Sequence, residues 1–205
     1  MSMAGCAAVG FRAHSGWAVA VAVGGPVDAP AAITRRRIEM VDAGVPGAAQ
    51  PYHAAVGLDS QEAERIVASC GARAAQLAGA ALRGIVEELR ATGHEVAGCG
   101  LLLASGRPLP ALEKILASHA MVHTAEGELF REALRAAGRE CGLPLAAVRE
   151  RELFSRGAAD LGIPEKRIQE RFAEMGRALG PPWRQDQKSA ALVAWLALKA
   201  VDNSA

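Results

Sequence analysis

Few residues in this chain combine a reactive type with a useful spacing, and those that do fall into three groups. His119 and His123 are four apart, so they share one face of any helix that runs through both. With Glu126 three residues further on, such a pair has the makings of a zinc site. The glutamate is not in an HExxH arrangement, and a capped helix junction with hydrogen-bonded histidines is the competing reading. The second group is Ser105-Gly106-Arg107, which follows a long apolar run. A glycine there lets backbone amides approach a ligand, and an arginine grips phosphate or carboxylate with two prongs. The spacing is not that of a GxxxxGK[ST] phosphate loop, and an ordinary strand-ending turn competes with this reading too. The third group lies far apart in sequence: Arg12, His14 and Ser15 near the start, Asp186 and Lys188 near the end. Side chains adjacent in an extended chain diverge, so His14 and Ser15 do not make a catalytic pair by themselves. A carboxylate such as Asp186 can fix the tautomer of an imidazole such as His14, provided the fold brings them together.

Composition narrows what these groups can serve. The formal net charge is +1, which removes the long-range basic field behind non-specific nucleic-acid affinity and leaves any phosphate recognition to local groups. Hydrophobic residues make up 51% of the 205 residues but aromatics only 4%, so alanine and the aliphatic residues must build a closely packed core. Cys6, Cys70, Cys99 and Cys141 form no CxxC pair and read as reduced thiols. The apolar N-terminal stretch is interrupted by Arg12 and His14, and the run over 17–23 is too short to span a bilayer, so a cytoplasmic protein without a membrane partner is expected.

The elements that must position the three groups can be read along the chain. Strands are expected over 7–13 and 17–23, joined by the turn His14-Ser15-Gly16, with a third over 33–41. Arg35, Arg36 and Arg37 mark that third strand as an edge, and its alternation puts Arg36 on the opposite face from its neighbours. The segment 43–58 contains Pro46, Gly47, Pro51 and Gly57 and reads as a long surface loop or lid, with Tyr52-His53 either closing over a site or anchoring the loop. Asp59 or Ser60 caps a helix running to about 92. An unbroken apolar run over 96–104 reads as a central strand buried on both faces. Helices follow over 109–121 and, capped by Thr124, over 124–137, then a short strand over 143–148. Two small helices form an insertion over about 150–180, and a last helix spans 185–201. The result is one α/β domain over 1–205. Its mixed sheet has three antiparallel strands, then helix-strand-helix-strand-helix, with extra helices near the C-terminus. Right-handed crossovers place the first strand beside the central one, so their carboxyl ends and the start of the last helix should converge.

That order of elements resembles the ribonuclease H-like superfamily. Two local pieces resemble its Holliday-junction resolvase branch. Val9-Gly10-Phe11-Arg12-Ala13-His14-Ser15-Gly16-Trp17-Ala18-Val19 is similar to the opening hairpin, which runs Gly-x-Asp-x-Gly and then Gly-Trp or Gly-Tyr. Gln185-Asp186-Gln187-Lys188-Ser189-Ala190-Ala191-Leu192 is similar to the acidic start of the last helix. The resemblance implies carboxylates that hold two divalent metals about 4 Å apart. For a metal in this chain, Mg²⁺ or Mn²⁺ is expected before Zn²⁺. Most of the carboxylates are missing here. The first strand offers Arg12 or His14 where an acid belongs, the end of the central strand offers Leu103, Ala104 and Ser105, and only Asp186 matches.

The expectation is a diverged member that binds, and could hydrolyse, a phosphate-containing ligand, nucleotide or nucleic acid, at the convergence point, with Asp186 and either His14 or Glu126 holding a metal or acting as base. Asp186, His14 and Glu126 are the candidate catalytic groups. Arg12, Ser105, Arg107 and Lys188 are the candidate ligand-binding groups, and Asp186, His119 and His123 the candidate metal ligands. The alternative is a catalytically silent domain that uses the same sheet for protein partnership, for instance as a homo-oligomer.

Overall fold

A computed structural model of the chain describes residues 5–104 and 108–202. Its centre is a five-stranded sheet in the order β3-β2-β1-β4-β5. The strands are β1 (Gly5–His14), β2 (Trp17–Gly24), β3 (Ala31–Glu39), β4 (His94–Leu103) and β5 (Leu145–Arg149). The first three pair antiparallel, whereas β4 lies parallel to both β1 and β5. The tight turn between β1 and β2 is closed by Gly16 at φ 81°, a left-handed conformation that glycine adopts without strain. The arginine-rich β3 is an edge strand, as expected. Arg36 turns to Glu88, while Arg35 donates to the carbonyls of Leu179 and Gly180 on the other face.

Helices cover both faces. On one side lie α2 (Ser60–Ala91) and α4 (His119–Glu140), which pack with Val9, Phe11 and Leu101. Asp59 caps α2 by accepting from the Glu62 amide at 2.9 Å. On the other side lies α7 (Gln185–Asp202), with α5 (Leu153–Leu161) and α6 (Glu165–Leu179) outside it. Every residue of α7 from Ser189 to Leu198 is buried, because the helix is enclosed by the sheet on one side and by the outer helices on the other. Burying a side chain such as Leu192 or Leu198 contributes about 1.5–3 kcal/mol.

The seat of α7 is a pair of register partners, Gly10 on β1 and Gly100 on β4. A Cβ at Gly10 would stand 1.9 Å from the Ala190 carbonyl oxygen, and one at Gly100 would stand 2.1 Å from that of Val193. The two glycines therefore make a flat patch on which helix backbone lies directly against strand backbone. This close approach fixes where the first turn of α7 falls relative to the end of β1.

Two expectations are corrected. The segment 43–58 is not loop throughout: α1 (Pro51–Ala55) forms within it, starting on a proline, and Tyr52 and Ala55 are buried. The region after β4 does not divide into helices over 109–121 and 124–137. A short α3 (Leu112–Leu116) ends before Ser118, whose extended backbone starts the unbroken α4. Thr124 does not cap; its hydroxyl donates to the Ala120 carbonyl inside α4 at 3.0 Å. No helix among the described residues is long and apolar enough to cross a membrane.

Candidate functional site

Strand alternation decides what β1 presents to α7. Gly10 faces the helix, so Arg12 and His14, two and four residues on, face it too. The patch at Gly10 then sets Asp186, in the first turn of α7, above both. Arg12 Nε lies 2.7 Å from Asp186 Oδ1, and His14 Nε2 lies 3.0 Å from Asp186 Oδ2. The two side chains thus engage both oxygens of one carboxylate. Arg12 also reaches outward, and its Nη1 meets Glu150 Oε1 at 2.6 Å. The convergence of β1 with the last helix is as the sequence predicts, and it unites Arg12, His14 and Asp186.

Glu150 is the member that sequence reasoning missed. It opens the 3₁₀ turn Glu150–Glu152, directly after β5. Val148 is in register with Leu102 and Arg149 with Leu103, so the residue after Arg149 emerges at the same edge as the end of β1. The signal was present in the predicted parallel placement of the fifth strand, whose carboxyl end must join the others.

Around this junction the contacts continue outward. The His14 ring stacks on Trp17, with centroids 4.1 Å apart and planes 10° from parallel. The Arg37 guanidinium lies 3.8 Å from the centroid of the same indole. Lys188 is not brought onto Asp186. Two residues on in a helix turn a side chain by about 200°, so it projects to the flank, and its ammonium has no partner among the described residues. Ser105 and Arg107 lie outside the described residues.

The junction does not fit a two-metal centre. Among the described residues it brings together two carboxylates, Asp186 and Glu150, and the Arg12 guanidinium stands between them with one nitrogen on each. An acid in place of Arg12 would extend the carboxylate set; the arginine instead neutralises what remains.

The other predicted residues gather elsewhere. His119, His123 and Glu126 all lie on α4, in the layer on the opposite side of the sheet from α7, and Asp186 is not among them. They are joined by His53 of α1. One ring nitrogen from each of His53, His119 and His123 lies within 4.8 Å of the others, and the Nε2 atoms of His119 and His123 are 3.0 Å apart. Glu126 Oε1 accepts from the His53 backbone amide at 2.9 Å and lies 3.1 Å from His53 Nδ1. The Glu126 side chain is only 2% exposed, and its Oε2 is buried without a hydrogen-bond partner. Burial pushes the Glu126 carboxyl above the usual range, against the His53 hydrogen bonds, which pull it down. The metal set expected from sequence therefore divides. Its histidines form one cluster with His53, and Asp186 belongs to the other.

Sheet order, strand directions and the helix laid across β1 and β4 define a ribonuclease H-like fold. The chain is similar to solved structures. T. thermophilus RuvC in complex with a Holliday junction substrate aligns over 95% of this chain and 94% of that one, with a TM-score of 0.53 at 11% identity. A second Thermus thermophilus RuvC structure aligns over 97% of both chains, with a TM-score of 0.49 at 12% identity. No protein-family model matches the sequence, and no curated protein matches it.

Proposed function

We propose that this chain is a ribonuclease H-like domain that binds nucleic-acid phosphate at the carboxyl edge of its sheet and does not hydrolyse it by a two-metal mechanism. The observation that carries the reading is Arg12: a fixed cation stands where this chemistry requires an acid. Its inner carboxylate partner, Asp186, is 30% exposed and belongs to the fold, whereas its outer partner, Glu150, is 55% exposed. An exposed ion pair of this kind contributes about 0–1 kcal/mol, so a phosphate can displace Glu150 at little cost and take its place on the guanidinium. His14 and the Trp17 ring flank that position, and Lys188 would approach from its margin. The RuvC neighbour holding a Holliday junction makes branched DNA the first probe to try.

The test is fluorescence anisotropy with a labelled four-way DNA junction and a matching single strand, across a salt series. Wild type should bind with an affinity that falls as salt rises. Glu150→Gln removes the competing carboxylate and should tighten binding several-fold; Arg12→Gln should weaken it by more than tenfold. The same DNA incubated with Mg²⁺ or Mn²⁺ should stay intact. Cleavage that depends on Asp186 would overturn the non-hydrolytic part.

A second reading is a catalytically silent protein-interaction or structural domain, alone or as a homo-oligomer. The internal neutralisation of the junction favours it, since Arg12 already has two partners. Absence of DNA binding in both wild type and Glu150→Gln would select it.

A further inference from the structure

The cluster on the other side of the sheet is independent of that reading. We propose that His53, His119 and His123 form a mononuclear zinc site, with Glu126 as its supporting carboxylate and a fourth position open to solvent.

The geometry suits the ion. Zinc takes imidazole nitrogens at about 2.0–2.1 Å, which on a tetrahedron places them about 3.3 Å apart. His119 and His123 approach to 3.0 Å through their Nε2 atoms, and the third ring nitrogen is within 4.8 Å of both. The ring centroids form a compact triangle, 4.4 Å for His119–His123, 4.7 Å for His53–His123 and 5.6 Å for His53–His119. Two elements supply the ligands: α4 presents two one turn apart, and α1 supplies the third.

Glu126 gives the second line of argument. Its Oε1 meets His53 Nδ1, which assigns the ring proton to that nitrogen and leaves Nε2 as the free lone pair. A carboxylate behind a metal-bound histidine orients the ring and raises its basicity. Its Oε2 makes no hydrogen bond of good geometry although the side chain is almost wholly buried, the Tyr52 backbone amide interacting only weakly with the carboxylate. An orphaned acidic oxygen in that position is costly, and a dication held one imidazole away offsets the cost. Neutral His119 and His123 can share only one proton in the N–H···N contact between them, whereas a cation accepts a lone pair from each of the three rings. Nitrogen ligands of this type select zinc and its first-row neighbours over Mg²⁺ or Ca²⁺. His119 and His123 are exposed, so nothing on the protein's side fills the fourth position, and water takes it.

The test uses the full chain without a histidine tag, stripped with chelator. Zn²⁺ is titrated against a chromophoric chelator, and Co²⁺ uptake is followed by its visible absorption. A single saturable equivalent is expected, with the intense bands of four-coordinate Co²⁺. His119→Ala and His123→Ala, both surface changes whose folding circular dichroism will check, should each lose more than 100-fold in affinity. Glu126→Gln keeps an acceptor for both His53 N–H groups but drops the charge, and should cost about 10–100-fold. Asp186→Asn should bind as wild type does. Failure of wild type to take up zinc stoichiometrically would overturn the proposal. So would unchanged affinity in both histidine variants, or loss of affinity in Asp186→Asn.

Discussion

The two polar clusters of this molecule sit on opposite faces of one sheet and are built on opposite principles. At the junction of β1, β5 and α7, charges match: Arg12 lies within 2.7 Å of one oxygen from each of two acids, and His14 lies 3.0 Å from the remaining oxygen of Asp186. Among His53, His119, His123 and Glu126 a charge is left over: three ring nitrogens gather beside a carboxylate whose Oε2 is buried without a hydrogen-bond partner. The first cluster balances its acids with a guanidinium. On the zinc proposal, the second takes a bound cation in that role. The resemblance read from the sequence implies the reverse, with metals held by carboxylates where the first and central strands end. Here Arg12 stands on β1 and neutralises the two acids that face it.

The largest effect should come from the seat that creates the junction. Gly10→Ala pushes a Cβ into the Ala190 carbonyl and to 2.6 Å from the Ala194 amide, and neither backbone can yield without lifting α7. Overpacking typically costs about 1–3 kcal/mol, and a rigid backbone clash at a helix buried on all sides belongs at or beyond the top of that range. Urea denaturation should show it. A loss below 1 kcal/mol would mean that α7 does not lie directly on the strand, and with it would go the account of how Asp186 reaches Arg12.

Arg12→Asp should convert the closed cluster into an open one. Three carboxylates would then face one another, and their repulsion should lower the melting temperature in the absence of metal. Mg²⁺, which imidazole nitrogens do not favour, should restore it. A ligand at 100 times its dissociation constant stabilises by about 2.7 kcal/mol, whereas wild type should show no such shift at the same Mg²⁺ concentration. A wild-type shift lost in Asp186→Ala would show that Arg12 does not close the site after all.

The order of strands, the edge position of β3 and the meeting of Arg12, His14 and Asp186 were all legible in the sequence, because alternation and right-handed crossovers leave little freedom once the strands are identified. What was not legible has particular causes. Glu150 escaped because the convergence was drawn from the first strand, the central strand and the last helix, leaving out the end of β5. The histidine pair was recognised, but its third member was read as a loop residue. His53 lies in a segment rich in proline and glycine, and such composition hides a helix of one turn that is held in place by tertiary contacts, here the burial of Tyr52 and Ala55 against α2 and α4. Whether Asp186 and the two histidines share a site depended on which face of the sheet each helix covers, and helix periodicity alone does not fix that.

The smallest predicted effect separates the clusters by pH. In the metal-free protein, burial raises the Glu126 carboxyl above its ordinary value of 4.5. A group whose folded-state pKa is raised holds its proton more tightly in the folded chain. Its contribution to stability is therefore fully present below about pH 4.5 and lost as pH rises through the folded value. Glu126→Gln abolishes this titration while keeping an acceptor for the His53 backbone amide. The urea midpoint of wild type relative to Glu126→Gln should therefore fall as pH rises from 4 toward neutrality in chelator, and adding Zn²⁺ should cancel the fall by stabilising the ionised carboxylate. A relative midpoint that rises with pH in chelator would mean that the hydrogen bonds from His53 outweigh burial. The carboxylate would then be satisfied without a metal, and the contrast between a closed and an incomplete cluster would lose its electrostatic basis.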